Sequence, residues 1–328
     1  MSEENELKLE KLRDDMRLVT ADIIKLVHKR MNIASQIGNI KNNLMMKIED
    51  ISVEQDIAKY VHDLGTQVGL NNEFIGRLLN LLFLESIRIQ KERISNKETK
   101  LDHMAMFLKA KQLESEGKNI IHLEVGEPDY MPPVSVKLEL LKTFEKRHVH
   151  YTQTTGIPIL RKSIAKERSV REDNVIVSPG ARFAVFSAMV SILSFGDEMV
   201  VFEPAWPAYR DCANFIGVRV KAIKTSVEQK WDLDLEELEK MITPNTKMIV
   251  LNSPNNPTGK IIQQREIEYI IKLAKKNKIF VLSDEVYSMY SYIPYRSILE
   301  FEYDKSIMVS SFSKSHAMTG FRVGYAIA

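Results

Sequence analysis

The stretch Ile307-Met308-Val309 followed by SSFSKSHAMTGFRVGY (Ser310–Tyr325) decides the fold. A short β-branched run gives way to small polar residues and a lone lysine, Lys314, and a second apolar run, Val323–Ile327, follows. The same arrangement recurs upstream. Val175-Ile176-Val177 leads into SPGAR (Ser178–Arg182), Met199-Val200-Val201 into EPAW (Glu203–Trp206), Met248–Leu251 into NSPNNPTG (Asn252–Gly259), and Phe280-Val281-Leu282 into SDEVY (Ser283–Tyr287). With Val218-Arg219-Val220 these make seven strand candidates, most separated by amphipathic helical stretches. That alternation predicts a doubly wound, mainly parallel α/β sheet. In such sheets ligands bind beyond the carboxyl ends of the strands, where the five polar motifs fall.

The first part of the chain reads differently. From Leu7 to Ile94 there is no proline, and apolar residues at Leu12, Met16, Val19, Ile23, Leu26, Val27, Ala34 and Ile37 keep a helical period. The pattern weakens at Asn42-Asn43 and resumes after Asp50-Ile51-Ser52. It breaks again at Gly69 and Asn71-Asn72, so three helices are expected, the third over about 73–93. A first helix of roughly 35 residues is about 50 Å long, too long to be covered by two shorter ones. A partner chain, most simply a second copy, is expected to cover it. The chain divides into an all-α domain over 1–94, a linker over 95–104 and an α/β domain over 105–328.

Composition narrows the function. The 46 Lys and Arg against 44 Asp and Glu leave a net charge of +2, too little for a nucleic-acid field. The single cysteine, Cys212, excludes an intrachain disulfide and a thiolate-rich zinc site. The seven histidines show no ligand spacing, so no metal is expected. The charged N-terminus lacks a signal-peptide core, and no apolar run spans a bilayer. A cytoplasmic enzyme on small molecules, without nucleic acid or membrane partners, is expected.

The strand ends offer a lysine for a Schiff base (Lys314), a carboxylate for a pyridinium nitrogen (Asp284) and small residues before a helix starting near Phe183, a phosphate cradle. Trp206 adds an aromatic face. Together these suit pyridoxal phosphate. With GEPD (Gly126–Asp129) and YTQTTGIPILR (Tyr151–Arg161), residues from about 104 to 328 resemble the class I, fold-type-I aminotransferases. The resemblance implies that Lys314 carries the cofactor and shuttles the proton, and that Asp284 keeps the pyridine nitrogen protonated. Tyr287 and Asn256 would bond the ring 3′-oxygen and Trp206 would stack on the ring. Ala181, Arg182, Ser311 and Arg322 would surround the phosphate, with Tyr151 reaching that of the neighbouring subunit. Gly126 would line the substrate carboxylate site. Arg182 has a second reading, a contact to a distal substrate carboxylate, which would favour aspartate, glutamate or prephenate.

In the helical part, Arg30 and Lys41 extend the apolar stripe. Eleven residues apart, they lie nearly in line on a helix turning about 100° per residue. Buried cations need anionic partners. Ser86 and Gln90 form an i, i+4 pair on the third helix. Leu12-Arg13, Lys29-Arg30, IGNIK ending at Lys41, Asp50, Glu54 and the S-x-x-x-Q pair together resemble the all-helical chorismate mutases. That resemblance implies a site in which Arg30 and a partner's Arg13 grip the two carboxylates of chorismate, with Ser86 among the substrate contacts. Lys41 and Gln90 would donate to the ether oxygen, and Glu54 and Asp50 would hold the ring hydroxyl. Val53 stands where some members carry arginine.

A bifunctional chorismate mutase and aminotransferase of aromatic or acidic amino acids is expected. The alternatives are a mutase with a non-catalytic aminotransferase-like part for dimerisation or regulation, and another fold-type-I enzyme such as a lyase. The match stops at GYAIA, before the small domain that follows in relatives. A fragment of a longer enzyme is therefore expected, with a final strand left raw and apolar.

Overall fold

The computed structural model describes every residue except 1–2, 45, 47–50, 95–102 and 124. Asp50 and residues 95–102 of the expected linker lie outside the described residues. The chain forms two compact units, 1–120 and 121–328.

The first unit is helical: α1 (Glu3–Asn43), α2 (Ile51–Gln67), α3 (Asn72–Ile94) and α4 (His103–Ser115). The stop after α2 is made by backbone. The Leu70 N–H donates to the Gly65 carbonyl at 2.9 Å and the Gly69 N–H to that of Thr66 at 3.1 Å, which satisfies carbonyls that the last turn leaves free. Asn71 then caps α3, its Oδ1 accepting from the Phe74 N–H at 3.3 Å. Met31 and Ala34 of α1 are buried, as are Ile75, Leu79 and Phe83 of α3, which packs against α1. With 41 residues in α1 and 23 in α3, the shorter helix cannot cover the longer. The stripe residues Leu12, Met16, Val19 and Ile23 stay more than half exposed.

The second unit is built on a sheet of β1 (Val175–Ser178), β2 (Glu198–Glu203), β3 (Arg219–Lys224), β4 (Thr246–Asn252), β5 (Phe280–Asp284), β6 (Ser306–Ser311) and β7 (Gly324–Ile327). The order is β1-β7-β6-β5-β4-β2-β3. Its helices are α5 (Val134–Glu145), α6 (Pro158–Arg168), α7 (Ala181–Ile192), α8 (Ala208–Ile216), α9 (Leu235–Met241), α10 (Gln264–Asn277) and the short α11 (Phe312–Ser315). Period-two alternation sorts the strand residues into two cores. Val200, Ile249, Val281 and Met308 pack in one with residues of α6, α9 and α10. Met199, Val250, Leu282 and Val309 pack in the other with residues of α7 and α8. The expected doubly wound sheet is the one found, and α7 starts two residues earlier than the sequence suggests.

Strand β7 runs antiparallel to both its neighbours, β1 and β6. It therefore leaves β1 to β6 pointing one way, with all their carboxyl ends on one edge. The expectation of a raw final strand is overturned: β7 is bonded on both sides, and Tyr325 and Ile327 are buried. Among the described residues no helix is long and apolar enough to cross a membrane.

Gly324 is the residue that makes this insertion possible. It pairs with Ser178 on one side and Ser311 on the other. A Cβ at this position would lie 2.5 Å from the Gly180 carbonyl carbon and 2.6 Å from the Ala181 nitrogen. Backbone cannot give way as a side chain can. Gly324→Ala is expected to destabilise this unit by about 1–3 kcal/mol, the usual cost of overpacking, read as a lowered denaturant midpoint.

Candidate active sites

The carboxyl edge of the sheet gathers most of the residues singled out from the sequence. Asp284 ends β5 and is buried. It accepts a hydrogen bond from the Tyr209 hydroxyl of α8 at 2.6 Å. Burial pushes its carboxyl above the usual carboxylate range, against the pull of the Tyr209 and Val286 donors. Its backbone carbonyl accepts from the Asn252 amide at 2.9 Å, and Asn252 Oδ1 accepts from the Asn256 N–H at 2.7 Å. One asparagine thus ties the NSPNNPTG turn, and Asn256 with it, to the strand that carries Asp284. Burial, with the Asp284 charge, raises the Tyr287 phenol. The Trp206 ring meets Tyr209 edge to face at 5.5 Å.

Lys314 sits on α11, directly after β6. Ser311 caps that helix, its Oγ accepting from the Ser313 N–H at 3.3 Å. The Lys314 ammonium donates to the Gly126 carbonyl. Burial holds its pKa below that of a free lysine. Glu127 opposes that shift and Arg322 adds to it. Arg322 precedes β7, donates to the Thr319 carbonyl at 2.8 Å and lies against Gly180, where a Cβ would come within 2.6 Å of its Nη2. Ala181 at the start of α7, Ser311 and Arg322 are therefore neighbours, because β7 lies between β1 and β6.

Arg182 points elsewhere. Its guanidinium is 3.6 Å from Asp211 and 5.9 Å from the centre of the Trp206 ring, and its side chain is mostly exposed. Tyr151 is fully exposed. Sequence reasoning missed Tyr209, the partner of Asp284. Its signal was present, since Trp206 and Tyr209 stand three apart at the opening of a helix. Tyr290 was missed too: its hydroxyl donates to the Lys314 carbonyl at 2.7 Å and meets the Tyr130 hydroxyl at 2.8 Å.

These residues fit pyridoxal phosphate. A buried carboxylate held by one phenol and one backbone N–H suits a ring N–H⁺. Arg322 beside a helix N-terminus suits a phosphate dianion, and a lysine of lowered pKa suits attack on an aldehyde.

The helical unit holds a cavity of about 270 Å³ lined by Arg30, Lys41, Glu54, Phe83, Ser86 and Gln90, among others. Arg30 Nη1 donates to the Leu82 carbonyl at 2.7 Å and to Ser86 Oγ at 2.5 Å, and its guanidinium lies 5.5 Å from the centre of the Phe83 ring. Burial lowers its pKa. Gln90 is buried, and its Oε1 has no hydrogen-bond partner among the described residues. The close approach of α1 to α3 fixes it there, since a Cβ on Gly38 would lie 2.9 Å from Gln90 Cγ. Val53 lines the same space. Arg13, far along α1, is exposed and lies outside this lining. Among the described residues no group of His, Cys, Asp and Glu is arranged to hold a metal ion.

Residues 118–328 match the family model for aminotransferase class I and II, and residues 12–91 that for chorismate mutase type II. An aspartate aminotransferase of Thermotoga maritima is 38% identical over 234 residues, covering 69% of this chain and 62% of that protein. A probable aspartate/prephenate aminotransferase of Aquifex aeolicus is 33% identical over 233 residues, covering 68% of this chain and 59% of the relative. The solved structure of Thermus thermophilus aspartate aminotransferase with maleate superposes with a TM-score of 0.67 at 33% identity, covering 69% of this chain and 61% of that one. The chain thus spans less than two thirds of these relatives' length. It belongs to the class I and II aminotransferases, a pyridoxal-phosphate-dependent family, and ahead of that part it carries a region of the chorismate mutase type II family.

Proposed function

We propose that this is a bifunctional enzyme, a chorismate mutase over 1–94 joined by a linker over 95–104 to a pyridoxal-phosphate aminotransferase over 105–328. The observation that carries the reading is that each unit holds its own constellation: Arg30, Lys41 and Gln90 around one cavity, and Asp284, Lys314 and Arg322 along one sheet edge.

The rearrangement of chorismate to prephenate is an intramolecular [3,3] shift that needs no nucleophile and no proton transfer. The protein has to hold the reactive conformer and stabilise charge developing on the ether oxygen. Arg30 and Arg13 of the partner subunit grip the two carboxylates, and Ser86 contacts the substrate beside Arg30. Lys41 and the Gln90 amide donate to the ether oxygen, while Glu54 and Asp50 hold the ring hydroxyl. Apolar walls such as Ala34 and Phe83 exclude water and strengthen these contacts.

At the sheet edge the cofactor supplies an aldehyde and an electron-accepting ring that stabilises charge at the substrate α-carbon. Lys314 would hold the aldehyde, and its amine would carry the proton at the substrate α-carbon. The Asp284 carboxylate would hold the proton on the ring nitrogen. Tyr287 and Asn256 would bond the 3′-oxygen, and Trp206 would cover the ring. Ser311, Arg322 and the Ala181 N–H would hold the phosphate, joined by Tyr151 of the partner subunit. Gly126 lines the site of the substrate carboxylate. Arg182, standing beside Trp206, would read a distal carboxylate. Relatives named for aspartate and for aspartate/prephenate support acidic or aromatic amino acids and their 2-oxoacids as substrates. The exposed stripe of α1 supports a homodimer, and the buried free thiol of Cys212 suits the reducing cytoplasm.

Three outcomes test the proposal. Arg30→Ala lowers chorismate turnover by about 10²–10³-fold, the usual loss for one such donor, with helical circular dichroism retained. Wild-type turnover in that variant removes the site. Asp284 has a folded pKa raised by burial, so its contribution to stability is full below the unfolded pKa and lost as pH rises through the folded one. Asp284→Asn should therefore raise the melting temperature of the cofactor-free chain at pH 7, with the gap closing toward pH 4, while cofactor uptake weakens. Lys314→Ala, the companion variant, should lose the visible absorption of the bound cofactor. Arg182→Ala should reduce the preference for dicarboxylic over neutral amino acids by about 10–100-fold, the loss of one charged hydrogen bond. An unchanged preference returns Arg182 to the surface.

A further inference from the structure

Two consecutive carboxylates are buried at the end of β5, Asp284 at 3% and Glu285 at 0% exposure. Asp284 has its place in the chemistry above, and Glu285 has none. Glu285 Oε1 accepts from the Ile298 N–H at 2.8 Å and from Ser283 Oγ at 3.0 Å, and the Ser297 and Tyr295 hydroxyls also donate to the carboxylate. Around it stand the Tyr295 phenol, pushed far above its usual range by burial and then by the Glu285 charge, and Arg168 of α6, which donates to the Tyr325 hydroxyl at 3.1 Å. A fully buried carboxylate is a poor choice for packing alone, since an apolar residue of similar size would be less costly there.

Its geometry suggests what it does. The backbone of Glu285 starts the loop 286–297 and its side chain takes hold of the residue that ends it, Ile298. The loop closes on itself at a single carboxylate, as a compact loop with its ends together. Between those ends it carries Tyr287, which feels the Asp284 charge, and Tyr290, which donates to the Lys314 carbonyl. The Ser288 N–H to the Glu285 carbonyl at 3.0 Å and the Tyr290 N–H to the Tyr287 carbonyl at 2.9 Å carry the constraint from the neck to the two phenols. We propose that Glu285 is a positioning residue, a clasp that shuts the 286–297 loop and thereby holds Tyr287 beside Asp284 and Tyr290 on Lys314.

The proposal rests on the reading of this edge as the cofactor socket, and its test separates the two. In the full chain without cofactor, Glu285→Ala should speed amide hydrogen exchange at least tenfold across 286–297 and leave β2 and β4 protected. Glu285→Gln, which keeps an acceptor for Ile298, should fall between. With pyridoxal phosphate added, Glu285→Ala should weaken its binding at least tenfold and move the pH midpoint of its visible band. Tyr290→Phe should move that midpoint in the same direction without opening the neck at Ile298. Should the alanine variant not fold, Glu285→Gln and Ser283→Ala carry the same measurements with smaller effects. Wild-type exchange across 286–297 in these variants, or faster exchange everywhere alike, overturns the clasp even where the cofactor binds. Faster exchange confined to the loop in a chain that takes up no pyridoxal phosphate upholds the clasp and removes the cofactor reading instead.

Discussion

The carboxylate of Asp284 is cut off from water, and much of the α/β unit is arranged to hold it there. It ends a strand flanked by β4 and β6, with apolar cores on both faces of the sheet. α8 brings Tyr209 to it and β4 brings Asn252 to its backbone. Burial of this kind costs free energy while no cation is opposite, so the protein keeps an electrostatic debt at the point where a protonated ring would cancel it. The rest of the edge follows from the same sheet. Parallel strands put the SPGAR turn, the NSPNNPTG turn, SDEVY and the Lys314 helix side by side, and β7 delivers Arg322 into their midst.

Much of this was legible in the residues, for a physical reason. A buried parallel strand needs a short β-branched run, and a functional turn needs small or polar residues after it, so each strand and its motif were written together. What could not be read was the path of β7. Nothing local in Gly324–Ile327 says that it runs backwards between β1 and β6, because that is decided by pairing with β1, about 150 residues away. For the same reason the last strand looked exposed in the sequence and is covered in the structure. Tyr209 and Glu285 were hidden differently. The spacing of Trp206 and Tyr209 hinted at the tyrosine's place, Glu285 had no such hint, and only the fold shows that both lose their water.

The helical unit was legible through its period. Arg30 and Lys41 were placed in line by their spacing, and both line one cavity with Ser86 and Gln90. The wall supplied by α2 was harder to place, since Glu54 contributes through the way α2 returns beside α3. Arg13 lies outside the cavity because α1 outruns the helices that pack on it, and the unequal spacing of the helix breaks in the sequence already implies that mismatch of lengths.

The position of β7 also bears on how the chain acquires its shape. Synthesis on the ribosome is vectorial, and β1 emerges long before the strand that attaches it to the sheet. Until β7 arrives, β1 has no strand to pair with, while β2 to β6 can already pair among themselves and α7 can pack on them. Long-range pairings of this sort are slow to form, and unpaired strands are open to wrong partners meanwhile. The nascent polypeptide therefore carries β1 as an unpaired strand until β7 is made.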